Sequence, residues 1–308
     1  MPYIFVVDEK NFWKCLQNKI FGIPATTKAV GQIMNVKKYE KLFLYVFGKR
    51  KIFGVYKAIS DPFKEEKPER GPWIQRKYDE KHGYYPFRIK IDVENGFGIG
   101  LPIEELERRN IGITRSFFNG KSVGYISEHQ AEIIEDLLKE INIKKEKIEI
   151  NFSEFPSNII PLNPLEIYKE KESILQVLVQ QNIELIENEI KVVDSYFPVK
   201  GYGWGGEIDI LAKDKDQNYV IVELKIGNLP PQIWSQLLSY SYAIRNIFAK
   251  VENVNVRTVA IGKGFEQKAL YAYPELKLLV KNPDSLKVFK YQSDFRNKLV
   301  LDEVKVST

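Results

Sequence analysis

Two carboxylates and a lysine interrupt the most apolar part of the chain, between residues 207 and 225. Glu223 and Lys225 are two residues apart, so both side chains leave the same face of a predicted strand. Asp209 lies between two isoleucines on the preceding strand. Charged side chains are rarely placed in such surroundings unless they are paired or hold a metal. The pattern therefore predicts a metal-dependent nuclease centre, and a surface ion pair of little energetic weight is the alternative for Glu223 and Lys225 alone.

The two strands must pair for these side chains to meet. Residues 213–218, which connect the strands, are polar and turn-prone, as expected of a hairpin connection. Pairing brings Asp209 beside Glu223, and two carboxylates at one point suit Mg²⁺ or Mn²⁺, which prefer oxygen ligands. Such a metal activates a water molecule and stabilises the transition state of phosphodiester hydrolysis. Lys225 then positions the water or neutralises the developing charge.

The order of these residues resembles a known nuclease signature. Asp209, Glu223 and Lys225 are similar to the D…ExK motif of the PD-(D/E)XK superfamily. Gln236 and Tyr240 match the QxxxY motif that follows it in RecB-like members. The resemblance implies an α/β restriction-endonuclease-like domain in which Asp209 and Glu223 hold the metal. It also implies that Gln236 steadies the site and that Tyr240 contacts the nucleic acid.

Residues around the motif add a second resemblance. The glycine-rich stretch 203–206 and the segment 172–187 look like the nuclease domain of the NucS (EndoMS) group. In that group an acidic residue of the first helix often joins the metal site, which implies a catalytic role for Glu172. A glutamate in the first turn of a helix is also an ordinary partner of the helix dipole. Glu207 shares its strand with Asp209, so either can be the strand ligand, and the match to the motif favours Asp209.

The first half of the chain has a different pattern. Strands are predicted at 3–7, 42–47, 52–59 and 87–93, and helices at 11–19 and 127–141. The second helix begins with Ser127-Glu-His-Gln130, which fits a capping box. Short strands with peripheral helices predict a small α+β barrel.

The spacing of aromatic residues in this half resembles the EVE/YTH branch of the PUA-like superfamily. Domains of that branch bind a flipped, often modified, base, which needs aromatic walls and a few polar groups. The resemblance implies base-binding or adjacent phosphate-binding roles for Trp13, Phe63, Arg70, Trp73, Arg76 and Lys77. Core packing is the alternative for the two tryptophans, because tryptophan is highly buried on average.

Length and composition limit the classes of protein. A chain of 308 residues is long enough for two domains, predicted at 1–145 and 164–308 with a linker at 146–163. Cys15 is the only cysteine, which excludes an intrachain disulfide, and two histidines disfavour histidine-based zinc chemistry. No apolar run approaches about twenty residues, so no membrane span is predicted. The strand-like N-terminus differs from a secretion signal, and we expect a cytoplasmic protein.

Basic residues are concentrated in the first half of the chain. Residues 1–150 contain 27 Lys and Arg against 21 Asp and Glu, although the whole chain has a net charge of only +5. Between Lys28 and Lys57, eight basic residues face one acid, Glu40. Such a cluster is either a solvated surface or a phosphate-binding surface.

These patterns predict a modification-directed DNA endonuclease whose first domain flips and binds a base and whose second domain hydrolyses the backbone with Mg²⁺ or Mn²⁺. Three alternatives stay open at this point: a nuclease of the NucS type for mismatched or branched DNA, a nuclease for modified RNA, and a binding protein with an inactive nuclease fold. A homodimer is a further expectation for double-strand cleavage, because one D…ExK centre cuts one strand at a time.

Overall fold

The chain divides into two compact units, Met1–Asn163 and Pro164–Thr308. The computed structural model describes residues 1–24, 27–69, 71–73, 85–93, 96, 98–118, 120–143, 152–153, 155–162, 171–199, 206–279, 282, 285–296 and 298–305. Within these ranges, no helix is both long and apolar enough to cross a membrane.

The first unit is a mixture of short strands and peripheral helices. Its strands are β1 Tyr3–Val7, β2 Ile20–Ile23, β3 Lys41–Val46, β4 Lys51–Ala58, β5 Phe63–Glu65, β6 Phe87–Asp92, β7 Leu101–Pro102, β8 Val123–Tyr125 and β9 Ile159–Pro161. Its helices are α1 Glu9–Gln17, α2 Thr27–Ile33, α3 Ile103–Arg108 and α4 Glu128–Asn142, with a 3-10 turn at Arg115–Phe118. The strands form a curled sheet in the order β8-β1-β3-β4-β6-β5-β9, in which β2 also pairs with β6 and β7 with β4.

Local sequence explains the two best-defined helices of this unit. Helix α1 begins after Asp8, whose carboxylate accepts a hydrogen bond from the Asn11 N–H at 2.9 Å. Helix α4 begins with the predicted capping box of Ser127 and Gln130. The predicted strands lie within one residue of β1, β3, β4 and β6. The predicted α+β class is confirmed for this unit, and the segment interpreted as a linker contributes β9 to its sheet.

The second unit contains one six-stranded sheet with helices packed on it. Its strands are β10 Lys191–Pro198, β11 Glu207–Lys213, β12 Tyr219–Leu224, β13 Val256–Gly262, β14 Leu286–Ser293 and β15 Leu299–Glu303. Its helices are α5 Lys171–Gln181, α6 Gln232–Ile244, α7 Lys250–Glu252 and α8 Gln267–Leu279, with a 3-10 turn at Ile183–Leu185 and a π-helical turn at Arg245–Ala249. The strand order follows the sequence, β10 to β15.

The centre of this sheet explains why charged side chains enter the interior. Strand β12 is buried along its whole length, pairs antiparallel with β11 and parallel with β13, and is packed by α5 and α6. A strand that is covered on both faces has a nearly continuous apolar sequence, and residues 219–224 have this pattern. Strand β15 forms one edge of the sheet. The predicted α/β class is confirmed for this unit.

Candidate active site

The β11–β12 hairpin brings the two predicted carboxylates together. Ile210 pairs with Val222 in the antiparallel register, so the next residues outward, Asp209 and Glu223, face each other. The Asp209 N–H donates to Glu223 Oε1 at 3.3 Å, and the Leu224 N–H donates to Asp209 Oδ2 at 2.8 Å. Each carboxylate is therefore held by the backbone of the opposite strand.

Burial is the largest cause of the raised pKa values of both acids. Burial raises the pKa of Asp209 to about 6; the charge of Glu172 also raises it, while the Leu224 N–H and Lys225 lower it. Burial, followed by the charge of Asp209, raises the pKa of Glu223 to about 8. The Glu223 side chain is 1% exposed, and the Nζ of its cationic neighbour Lys225 lies 3.5 Å from Glu223 Oε2. The pair thus has an excess of negative charge once both acids ionise.

Helix α6 supplies a polar side chain that contacts Glu223. Gln236 donates from Nε2 to Glu223 Oε2 at 3.0 Å and to the Tyr240 hydroxyl at 3.1 Å. Residues four apart lie on one face of a helix, so this contact follows from the QxxxY spacing. Tyr240 was expected to contact nucleic acid, but it lies instead beneath Gln236, 3% exposed, and its hydroxyl accepts a hydrogen bond from the Glu207 N–H at 3.1 Å.

Gly206 is required by the position of Tyr240. Its backbone φ is +107°, which disfavours any residue with a Cβ, and a Cβ built there would collide with the Tyr240 hydroxyl. The glycine before β11 therefore lets the tyrosine reach the Glu207 backbone. This contact couples α6 to the strand that carries Asp209.

The remaining acidic candidates occupy different positions. Glu207 is partly exposed on β11, and the hydrogen bonds that join the two strands at Glu223 go to Asp209, which favours Asp209 as the strand ligand. Glu172 is exposed in the first turn of α5, near enough to raise the pKa of Asp209.

Two residues near the site were not found from the sequence. Gln176 on α5 donates from Nε2 to the Asp209 carbonyl oxygen at 2.6 Å, which fixes β11 from the helix side. Tyr196 on β10 lies opposite Asp209 in the register, with its phenol hydrogen-bonded to Ser173. Its backbone has a φ of +54°, a conformation that no sequence pattern at this position indicates.

The donor set fits a hard divalent cation. In the part of the chain that the structure describes, no three His, Cys, Asp or Glu side chains are grouped as a metal site, and the candidate ligands are the oxygens of Asp209 and Glu223. The buried Glu223 and the half-buried Asp209, with one partly exposed lysine, leave a negative charge that a divalent cation would neutralise. Oxygen-only coordination matches the preference of Mg²⁺ and Mn²⁺.

In the first unit, Trp73 lies in a cluster of its own. Its Nε1–H donates to Cys15 Sγ at 3.2 Å, and the Arg88 guanidinium lies 5.0 Å from its ring centroid. Gly22 and Gly71 leave room for the ring, because a Cβ at either position would come within 2.8 Å of it. Trp73 remains partly exposed. Arg88 is fully buried and forms an ion pair with Glu65 at 2.7 Å, a pair that the sequence did not indicate.

Two of the other predicted base-site residues, Trp13 and Phe63, lie among the described residues. Trp13 is two residues from Cys15 on α1, so it leaves the opposite side of the helix and is 36% exposed. Phe63 is 2% exposed in the core of the sheet. The predicted phosphate contacts Arg70, Arg76 and Lys77 lie outside the described residues.

Three solved structures are similar to part of this chain. A repair endonuclease from Pyrococcus abyssi is 23% identical over 40% of this chain and 47% of its own, with a TM-score of 0.31. EndoMS in apo form is 21% identical over 41% of this chain and 48% of its own, with a TM-score of 0.30. EndoMS in complex with double-stranded DNA is 23% identical over 35% of this chain and 44% of its own, with a TM-score of 0.29. The chain thus spans less than half the length of each. Among curated proteins, none matches it.

Two family models match separate parts of the chain. Residues 1–133 match the development and cell death domain. Residues 171–282, which contain the Asp209–Glu223 pair and helix α6, match the C-terminal domain of endonuclease NucS, and this match supports nuclease activity. The predicted combination is confirmed as a resemblance: the first part of the chain matches a PUA-like development and cell death domain, and the second part matches a NucS C-terminal endonuclease domain.

Proposed function

We propose that this protein is a DNA endonuclease directed by a base that its first domain binds, most simply a modified one. The observation that carries the proposal is the pair of the half-buried Asp209 and the buried Glu223, with Lys225 and Gln236 both in contact with Glu223. A structural ion pair does not need a second carboxylate beside the buried one, because that acid raises the cost of ionising the first.

Each side chain of the centre has a separate task in this proposal. Asp209 and Glu223 hold Mg²⁺ or Mn²⁺, which when bound supplies an activated water and neutralises charge on the phosphodiester. Lys225 keeps its ammonium beside Glu223, where it orients the nucleophilic water and stabilises the charge that develops on the phosphoryl oxygens. Gln236 fixes the orientation of Glu223, Tyr240 fixes Gln236, and Glu172 adds negative charge at the edge of the site.

The first domain would select the position of the cut. A flipped base needs an aromatic surface and a polar edge, and Trp73 offers a partly exposed indole that Arg88 and Cys15 hold in place. The ion pair of Arg88 with Glu65 neutralises the buried guanidinium. The exposed face of Trp73 therefore suits an uncharged ligand such as a base. Phe63 supports this region from the core rather than contacting the base.

The test is cleavage, in Mg²⁺ or Mn²⁺, of matched duplexes that are unmodified or carry methylated or hydroxymethylated cytosine. The Asp209→Asn variant is the control, because it keeps the shape of the side chain and loses its charge. We expect the protein to cut a modified duplex selectively and the variant to cut none. Equal cutting of all duplexes, or cutting confined to mismatched, branched or RNA substrates, would overturn the modification-directed proposal. Cleavage retained by the variant would overturn the assignment of the centre.

A further inference from the structure

A cationic surface with two exposed aromatic rings lies on the side of α1 that faces away from Trp73. We name it the α1–hairpin surface; it consists of Lys10, Trp13 and Lys14 on α1 and Phe47, Lys49 and Arg50 in the β3–β4 connection. The Phe47 N–H donates to the Val7 carbonyl at 2.9 Å, just before α1 begins, which holds the connection beside the helix. Lys49 joins the two parts, with its Nζ 5.9 Å from the Trp13 ring centroid and 3.3 Å from Glu9 Oε1.

The rings of Trp13 and Phe47 are exposed to solvent, while other apolar side chains of the same segments fill the core. Helix α1 buries Phe12, Cys15 and Leu16, whereas Trp13 lies on the solvent-facing side with 36% of its surface exposed. Phe47 is 59% exposed in the turn. Large apolar side chains exposed on one surface are informative, since a folded core gains nothing from them.

The charges around these rings are mostly positive. Among the described residues, Lys10, Lys14 and Arg50 form no ion pair. The nearby acids are already engaged, because Asp8 caps α1 and Glu9 contacts Lys49. Farther along, Glu104 and Glu107 on α3 pair with Arg115.

We propose that the α1–hairpin surface binds a nucleic acid strand, with its cations on the phosphates and with Trp13 and Phe47 stacked on unpaired bases. Proteins that hold single strands combine a positively charged track with aromatic platforms in this way. The inference rests on the proposed function, which supplies the nucleic acid, and adds a contact separate from Trp73. The large exposed apolar side chains of this surface, Trp13 and Phe47, are both planar rings, which suits stacking on bases better than insertion into lipid.

The opposite end of the same hairpin provides a matched control. Tyr39 is exposed there, with Lys38 Nζ at 4.8 Å and Lys57 Nζ at 5.3 Å from its ring centroid. Acids balance this end, since Asp61 accepts a hydrogen bond from the Lys38 N–H at 3.0 Å and Asp92 pairs with Lys57 in the β4–β6 register. The two ends therefore share their residue types and differ in net charge.

The experiment measures binding of the full chain, in EDTA, to a labelled single strand and to a duplex of the same sequence. We expect Trp13→Ala to weaken single-strand binding about tenfold, as for the loss of one stacked base, and Phe47→Ser to weaken it similarly. The double variant Lys10→Gln with Lys14→Gln should reduce the slope of log affinity against log salt by about 1.4, because each phosphate contact on a single strand contributes about 0.7. The controls Tyr39→Asn and Lys38→Gln should change affinity less than twofold; the asparagine tolerates the left-handed φ of +75° at position 39.

Several outcomes would overturn the inference. Equal losses of affinity in the control variants would mean that binding depends on the overall charge of the domain. Losses of affinity for the duplex alone would mean that no base stacks on the surface. Losses of binding to vesicles of phosphatidylserine and phosphatidylcholine, without losses for DNA, would make the surface a membrane contact. The affinities for DNA and RNA strands of the same sequence, measured side by side, show which nucleic acid the surface binds. Circular dichroism and the melting temperature show whether Trp13→Ala is folded, and the lysine variants test the surface without touching the core.

Failure of the inference and failure of the proposed function give different results. If no modified duplex is cut selectively but the surface variants still lose strand affinity, the proposed function fails alone. If selective cutting is present and the surface variants bind normally, the inference fails alone.

Discussion

The centre around Glu223 and the cluster around Trp73 both contain an ion pair with a buried carboxylate, but they differ in charge balance. At the first, Asp209 and Glu223 share one lysine, and burial raises the pKa of both acids. At the second, one buried cation, Arg88, contacts one buried carboxylate, Glu65. An unbalanced buried charge is costly unless something binds to it, whereas a balanced pair can persist as a structural support.

The difference indicates which kind of ligand each region suits. The nuclease centre needs an outside cation to complete it, so its function depends on what it binds. Among the described residues of the Trp73 cluster, Glu65 balances the charge of Arg88, which also donates to the Pro68 carbonyl at 3.0 Å and to the Tyr85 carbonyl at 3.2 Å. Arg88 therefore fixes the segments on either side of Trp73, and the indole is free to select an uncharged ligand.

The largest expected effect tests the unbalanced centre. Lys225→Ala should lower the cleavage rate by a factor of about 10² to 10³ or more, as for the loss of one transition-state-stabilising group. Binding of uncut DNA in Ca²⁺ should change little, because Lys225 is one of many cations of the chain. Single-turnover cleavage and a filter-binding assay measure the two quantities. Lys263→Ala, on the loop after β13, is the matched control for the loss of one lysine. Cleavage at the normal rate would remove Lys225 from the mechanism.

Much of the nuclease centre was predictable because its parts are close in sequence. The alternation around Asp209, the ExK spacing and the i, i+4 pair Gln236 and Tyr240 each follow from strand or helix periodicity. The hairpin connection then fixes the register that makes Asp209 face Glu223.

The cluster around Trp73 could not be predicted in the same way. Its hydrogen bond to Cys15 spans 58 positions, and no local pattern relates the two residues. Arg88 and Glu65 meet because β5 pairs with β6, and each occupies an ordinary place in a short strand. Trp13 was grouped with Trp73 on a family resemblance, and only the helix geometry of α1 shows that the two rings lie on opposite sides of it.

A second prediction tests the balanced cluster. Trp73→Ala should reduce the preference for a modified over an unmodified duplex by about 5- to 150-fold, the range expected for the loss of one base–aromatic contact. Cleavage of unmodified DNA should stay within severalfold, because the variant leaves Asp209 and Glu223 intact. Competition cleavage of the two duplexes in one tube measures the ratio directly. Trp73→Phe is the control, since it keeps an aromatic face and should retain part of the preference. If the alanine variant keeps the whole preference, Trp73 does not contact the base.

The smallest effect is a pH dependence of stability that only the unbalanced centre should show. In the folded protein without metal, Asp209 and Glu223 keep their protons to about pH 6 and about pH 8, whereas in the unfolded chain both ionise near pH 4. The folded state therefore binds more protons between these limits, and its stability falls as the pH rises through the folded pKa values.

We therefore expect the melting temperature of the second unit in EDTA to fall by several degrees between pH 5.5 and pH 8.5, at about 2–4 °C for each kcal/mol of lost stability. Mg²⁺ should reverse most of the fall at the upper pH, because the cation binds the ionised pair. A double variant with Asp209→Asn and Glu223→Gln should lose both the slope and the response to Mg²⁺, and an Arg88→Met variant should change the melting temperature without changing either. If the melting temperature of the wild type changes with pH as that of the double variant does, the two carboxylates do not carry an unbalanced charge in the folded protein.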